Sequence, residues 1–120
     1  EALPGKKING KLTLGENIGD NGGLNISLRA LENVLKENPS AAKTIDGFTP
    51  LQRFFLSWAT VWAGNARPEF IDRQIKTDPH SPAEARVNAA LPQIDAWYKA
   101  FNVKKGDKLF IPKNKRAHVW

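Results

Sequence analysis

The 120-residue chain contains no cysteine. No disulfide can therefore staple it, and no thiolate can serve as a metal ligand or nucleophile. Histidine is nearly as scarce, with only His80 and His118. That scarcity excludes most self-contained zinc sites, which need three or four protein ligands. No apolar run is long enough to cross a bilayer, so no membrane contact is expected from this segment. The opening Glu1-Ala-Leu-Pro-Gly-Lys-Lys lacks the apolar stretch of a secretory leader. In a piece of a longer protein that absence carries no information about the parent's compartment. Internal repeats and low-complexity segments are also missing.

What the chain does have is enough apolar material for one domain, at 41% hydrophobic residues. Its formal charge of +6 is concentrated near the end, where six basic residues from Lys104 to Arg116 face one acid, Asp107. These cations form neither a helical stripe nor an aromatic stacking platform, so they read as solvated surface and nucleic acid is not the expected partner.

Periodicity and punctuation predict a mainly α fold with little or no strand. After an irregular entry over residues 1–12, a helix is expected from near Thr13 to about Glu37. Leu24, Leu28, Leu31 and Leu35 recur at helical spacing, and Asn38-Pro39 stops the run. Glycines 15, 19, 22 and 23 each cost such a helix about 1 kcal/mol against alanine, and their clustering implies close approach of another element or a ligand. A second helix opens at Thr49-Pro50, a good N-cap followed by a proline suited to the first turn. Leu51, Phe54, Phe55, Trp58, Val61 and Trp62 give it one wide apolar face. A third helix is expected to begin at Pro68 and end before Thr77. Ser81-Pro82 and Leu91-Pro92 open two more, the last carrying Ile94, Trp97, Tyr98 and Phe101. Past Gly106, only Leu109-Phe110-Ile111 suits a short strand.

The most informative stretch is Thr13-Leu-Gly-Glu-Asn-Ile-Gly-Asp-Asn-Gly-Gly23. Four residues of helix place the Glu16 and Asp20 carboxylates on one face, about 6 Å apart along the axis. Like charges so placed repel slightly. A zinc ion would offset this, with one carboxylate ligating and the other orienting a ligand histidine. Spacing allows a plainer alternative, a capping box in which Thr13 caps the helix and Glu16 closes it three residues later.

Leu14-Gly-Glu-Asn-Ile-Gly-Asp-Asn-Gly-Gly-Leu24 resembles the third-ligand motif of the neprilysin-like zinc metalloendopeptidases. Gly19 stands where the family usually has alanine. A second block is similar to that family's substrate site in the same order: Val61-Trp-Ala-Gly-Asn-Ala-Arg-Pro-Glu69, Ile75-Lys-Thr-Asp-Pro-His-Ser-Pro82 and Arg86-Val-Asn88. The ending Val119-Trp120 also matches. The resemblance implies that Glu16 binds zinc and that Asp20 hydrogen-bonds a zinc-ligating histidine. It further implies that His80 donates to the oxyanion, that Arg86 holds a substrate carbonyl and that Trp62 lines a substrate pocket.

Each of these residues also has a plainer reading. His80, between Pro79 and Pro82, could cap the next helix; Arg86 could be a surface ion-pair partner, and Trp62 simply core. His118 has no role under the resemblance. Ala63, Val103 and Ala117 fall at or near positions where vertebrate members carry cysteine, which points to a bacterial, disulfide-free branch; the segment does not fix the parent's compartment, extracytoplasmic or cytoplasmic. The family's His-Glu-x-x-His helix, source of two zinc ligands and the general base, is absent and belongs upstream. Residues 1–120 are thus expected to be the C-terminal helical part of a zincin-like catalytic domain. Its partners would be peptide substrates and the rest of that domain, its cofactor Zn2+ in the full-length enzyme, and the piece alone inactive. The alternative is a non-catalytic binding or scaffold module that keeps the fold.

Overall fold

The computed structural model describes residues 1–119. Trp120, and with it the last residue of the Val119-Trp120 match, lies outside the described residues. Helix α1, Gly10–Glu37, is 28 residues long. It begins three residues before the expected start near Thr13, because Asn9 caps it: the Asn9 side chain accepts from the backbone N–H groups of Lys11 and Leu12 at 3.1 and 3.2 Å. Gly10, Lys11 and Leu12 carry no periodic signal, so only the cap marks the start. Thr13 is therefore inside the helix, its hydroxyl donating to Asn9 O at 3.2 Å. The capping box expected as the alternative at Thr13 and Glu16 does not form. The other end falls at Asn38, whose N–H reaches Val34 O, and a 3₁₀ turn over Pro39–Ala42 follows.

A tight turn then precedes helix α2, Pro50–Val61. Asp46 and Gly47 both have positive φ, 52° and 81°, and Ile45 and Phe48 exchange two backbone hydrogen bonds across them; glycine suits the second of these left-handed positions. Arg53 of α2 donates to Phe48 O at 2.6 Å and fixes the turn to the helix. At the start of α2 the predicted cap is present in full. Thr49 accepts from Gln52 N, and the Gln52 side chain accepts from Thr49 N. The same Gln52 amide donates to Ala100 O at 2.9 Å, joining α2 to the last helix.

Helix α3 spans Pro68–Thr77, so Thr77 is its last residue rather than lying beyond it. Helix α4, Ala83–Asn88, follows Ser81-Pro82 as expected. Leu91-Pro92 opens a 3₁₀ turn, Leu91–Gln93, and helix α5 begins after it, Asp95–Phe101. No strand occurs among the described residues. At Leu109–Ile111 no ladder forms: Phe110 N donates to Asp107 O in a turn, and Ile111 is bonded by side chains. Ile111 N donates to the Tyr98 hydroxyl at 3.0 Å, and Ile111 O accepts from Arg116 Nε at 3.0 Å.

The core lies where α1, α2 and α5 meet, built from Leu24, Leu28, Phe55, Leu91, Ile94, Trp97 and Tyr98. The exposed terminal segment is strapped onto it by Arg116. That guanidinium lies 3.4 Å from the Tyr98 ring centroid and donates to Asp95 Oδ1 at 2.6 Å. Lys113 reaches the other Asp95 oxygen at 3.1 Å. Two of the clustered cations are thus committed to one carboxylate, which draws down the charge of the basic tail.

Arg116→Ala in the full-length parent should lower stability by about 2–3 kcal/mol, the worth of its hydrogen bonds to Asp95 and Ile111 and one cation–π contact after allowance for solvent at Asp95. The Arg116 and Lys113 hydrogen bonds hold the Asp95 carboxyl below its ordinary value. A depressed carboxylate stabilises the fold above its unfolded pKa and loses that contribution as pH falls through the folded one. The gap in urea midpoint between wild type and Arg116→Ala should therefore narrow below about pH 4.

Candidate active site

Three side chains on one side of α1 face the segment that links α3 to α4. Glu16, Asn17 and Asp20 lie within little more than one helical turn; the opposing segment supplies His80 and Ser81, and α4 supplies Arg86. His80 Nε2 lies 3.2 Å from Glu16 Oε2. Ser81 Oγ donates to Asn17 Oδ1 at 2.7 Å. Arg86 grips Asp20 with a two-pronged hold, Nε to Oδ2 at 2.7 Å and Nη2 to Oδ1 at 2.6 Å. The last two links join residues 64 and 66 positions apart.

The Asp20–Arg86 pair is largely out of solvent, its side chains 9% and 12% exposed. Burial of charge is tolerable only when paired and hydrogen-bonded, and the fork geometry supplies both. Hydrogen bonding to Asp20 holds the Arg86 guanidinium above its ordinary pKa. Its flat face lies 3.9 Å from the Trp62 ring centroid. Its backbone carbonyl accepts from Trp58 Nε1 at 3.0 Å, anchoring α4 to α2. Arg86 is therefore not the exposed ion-pair partner of the plainer reading. Trp62 is only partly buried and sits between the core aromatics and the cleft. Its Nε1, like Asn21 Nδ2, is buried with no hydrogen-bond partner among the described residues.

His80 is bracketed by two carboxylates. Asp78 Oδ1 accepts from His80 N at 2.8 Å and lies 2.7 Å from His80 Nδ1. The backbone bond comes first among the causes that hold the Asp78 carboxyl below its ordinary value, ahead of the bond to the ring. Asp78 was missed from the sequence. Its signal is an aspartate two residues before the histidine, which closes a local turn with its own carboxylate. In place of a helix-capping role, the His80 ring is fixed between Asp78 and Glu16. Trp62, Phe70, Ile71, His80 and Arg86 line a cleft of 770 Å³.

All five residues singled out in the sequence, Glu16, Asp20, Trp62, His80 and Arg86, thus fall in one continuous wall. His118 lies in the irregular terminal segment, between Ala117 and Val119, which line a cavity with Asp20 and Arg86. The helical glycines behave differently from expectation: a Cβ at Gly15, Gly19 or Gly23 would meet nothing within 4 Å among the described residues. Close approach to those positions is not made by this segment itself.

Among the described residues no group of three or more histidine, cysteine, aspartate or glutamate side chains could hold a metal ion. Glu16, with a side chain 44% exposed and its carboxylate on the open side of α1, fits a zinc ion as a single ligand. The donor set is one part of a site.

The fold is one that metallopeptidases have. Peptidase family M13 matches residues 2–117, and the chain belongs to that family. It is 40% identical to human neprilysin over 118 residues, 97% of this chain and 15% of that protein. To endothelin-converting enzyme 1 of Bos taurus it is 39% identical over 121 residues, 99% of this chain and 16% of the relative. The chain therefore spans only about 15% of the length of the curated relatives it matches. Among solved structures it superposes on the Mycobacterium tuberculosis zinc metalloprotease ZMP1 in its open state with a TM-score of 0.88. Against the inhibitor complex of the same protease the TM-score is 0.89. Both matches have 42% identity and cover 94% of this chain and 17% of the other.

Proposed function

We propose that this chain is the distal part of the catalytic domain of a bacterial zinc endopeptidase that cleaves peptide bonds in oligopeptides. The observation that carries the reading is the meeting of Glu16 with His80, and of Asp20 with Arg86, from segments more than sixty residues apart. Further support comes from the face of α1 away from Glu16, where Leu14 and Ile18 are exposed and the Asn21 amide is buried without a partner among the described residues. Such a surface suits cover by the remainder of the parent domain, which would bring the His-Glu-x-x-His helix.

In this reading Glu16 supplies one zinc ligand. Zinc, when bound, polarises the scissile carbonyl and activates water. Asp20 spends one lone pair of each oxygen on Arg86 and keeps the others to accept from the N–H of a ligand histidine, fixing that ring's orientation. His80, with Nδ1 turned to Asp78, points Nε2 at Glu16, the proposed metal ligand, and from beside the metal would donate to the developing oxyanion. Arg86, stacked on Trp62, offers Nη1, which makes no hydrogen bond among the described residues, to a substrate backbone carbonyl. Trp62 lines the neighbouring side-chain pocket.

The test compares the full-length parent with the isolated chain. The parent should hold zinc and hydrolyse an oligopeptide, with activity lost to a chelator and restored by zinc. The isolated 120-residue chain should show no hydrolysis and no sub-micromolar zinc binding by calorimetry, because one carboxylate cannot close a site. A parent gene without an upstream His-Glu-x-x-His, or tight zinc binding by the chain alone, would sink the assignment. The first result would favour a non-catalytic module.

A further inference from the structure

Three links hold α1 against the segment that carries His80, and they are not equivalent. The Glu16–His80 contact joins the two groups that the proposed function directs elsewhere, one to zinc and the other to substrate. Both side chains are near half exposed, at 44% and 47%. That contact cannot keep the two elements in register during turnover. The Arg86–Asp20 pair lies six residues beyond His80. The Ser81–Asn17 bond is the one adjacent to both groups, since Asn17 follows Glu16 and Ser81 follows His80.

This bond is the outer end of a polar relay. Ser81 Oγ donates to Asn17 Oδ1 at 2.7 Å, and Asn17 Nδ2 donates to Thr13 Oγ1 at 3.1 Å. Thr13 Oγ1 donates in turn to Asn9 O at 3.2 Å. Donor and acceptor alternate without conflict, and both ends of the Asn17 amide are used, which fixes its orientation. The two hydroxyls are buried, Thr13 at 1% and Ser81 at 4% exposure. The relay ends on Asn9, the residue that caps α1. Asn17 and Asn9 are themselves exposed, so the two buried hydroxyls anchor the relay, and its directed hydrogen bonds define one geometry where apolar contact would allow several.

Resting on the proposed function, we infer that Asn17 and Ser81 are positioning residues that set the distance between the zinc-ligating carboxylate of Glu16 and the oxyanion donor His80. They act through those two neighbours and need touch neither metal nor substrate. Loss of the bond should let the His80 segment drift, and an ångström-scale drift degrades transition-state contacts while leaving ground-state contacts nearly intact.

The experiment uses the full-length, zinc-loaded parent. Ser81→Ala should lower kcat about tenfold with KM and zinc content unchanged. Its affinity for a phosphonamidate peptide that mimics the tetrahedral state should fall by a similar factor, while affinity for an unreactive product peptide holds. Ser81→Thr, which keeps the hydroxyl, should restore both. Asn17→Ala should match Ser81→Ala, and the double variant should be no worse than either, because the two changes break one bond. Values of kcat and analogue affinity within twofold of wild type in Ser81→Ala would overturn the inference. So would an equal fall in affinity for the product peptide or a loss of zinc, either of which marks a merely structural role. A wild-type parent without zinc-dependent hydrolysis would sink the proposed function itself, and is told apart from these results before any variant is made.

Discussion

Glu16→Ala in the full-length parent is expected to abolish zinc retention and, with it, peptidase activity. A catalytic zinc held by three protein side chains loses its charged ligand in this change and keeps only neutral imidazoles beside water. The effect should be confined to the metal. Glu16 is neither a cap nor a core residue, and alanine is at least as good a helix former, so α1 should be undisturbed. Metal analysis after dialysis, with far-ultraviolet circular dichroism as the control on folding, checks both halves. Retention of zinc and activity would return Glu16 to an ordinary surface carboxylate beside His80. Asp20→Ala should behave differently, weakening zinc affinity or activity by about 10–100-fold. It also strands Arg86 in a buried position, at a cost to the fold of about 3–5 kcal/mol.

The second large effect separates chemistry from binding. His80→Ala should lower kcat by about 10²–10³ with zinc retained, since the ring acts on charge that develops only in the transition state. Arg86→Ala should raise KM with a smaller fall in turnover, because a backbone carbonyl is held before and during reaction. The structure adds a consequence that the sequence did not suggest. Asp20 would be left buried and unpaired, so Arg86→Ala should also destabilise the domain by about 3–5 kcal/mol, and Arg86→Lys should not restore the fork. Steady-state kinetics, metal analysis and thermal denaturation of the three variants decide the matter. Loss of zinc in His80→Ala would make His80 a ligand. Unchanged kinetics in His80→Ala and Arg86→Ala would leave the wall a structural feature.

Much of the fold was legible because its signals are local. Thr49-Pro50, Pro68 and Asn38-Pro39 mark helix ends through hydrogen bonds and fixed dihedrals that span a few residues. Where the local signal was silent or ambiguous, the reading failed. Asn9 capped α1 ahead of any apolar repeat, and Leu109–Ile111 gave up its ladder bonds to Tyr98 and Arg116.

The candidate site divides along the same line. Residue type and one-turn spacing placed Glu16 and Asp20 on one face of α1, because a helix fixes relations between neighbours whatever surrounds it. Resemblance singled out His80, Arg86 and Trp62 for substrate without saying which side chains of this chain hold them. The Asp20–Arg86 fork, the Glu16–His80 meeting and the Ser81–Asn17 bond exist only once the packing of α1, α2 and α5 brings distant segments together. The Asp20–Arg86 and Ser81–Asn17 pairings are decided by burial, since a charge or hydroxyl removed from water must find its partner in whatever the core has carried beside it. The sequence determined which groups were available and which faces they occupied; the tertiary structure decided which of them became partners.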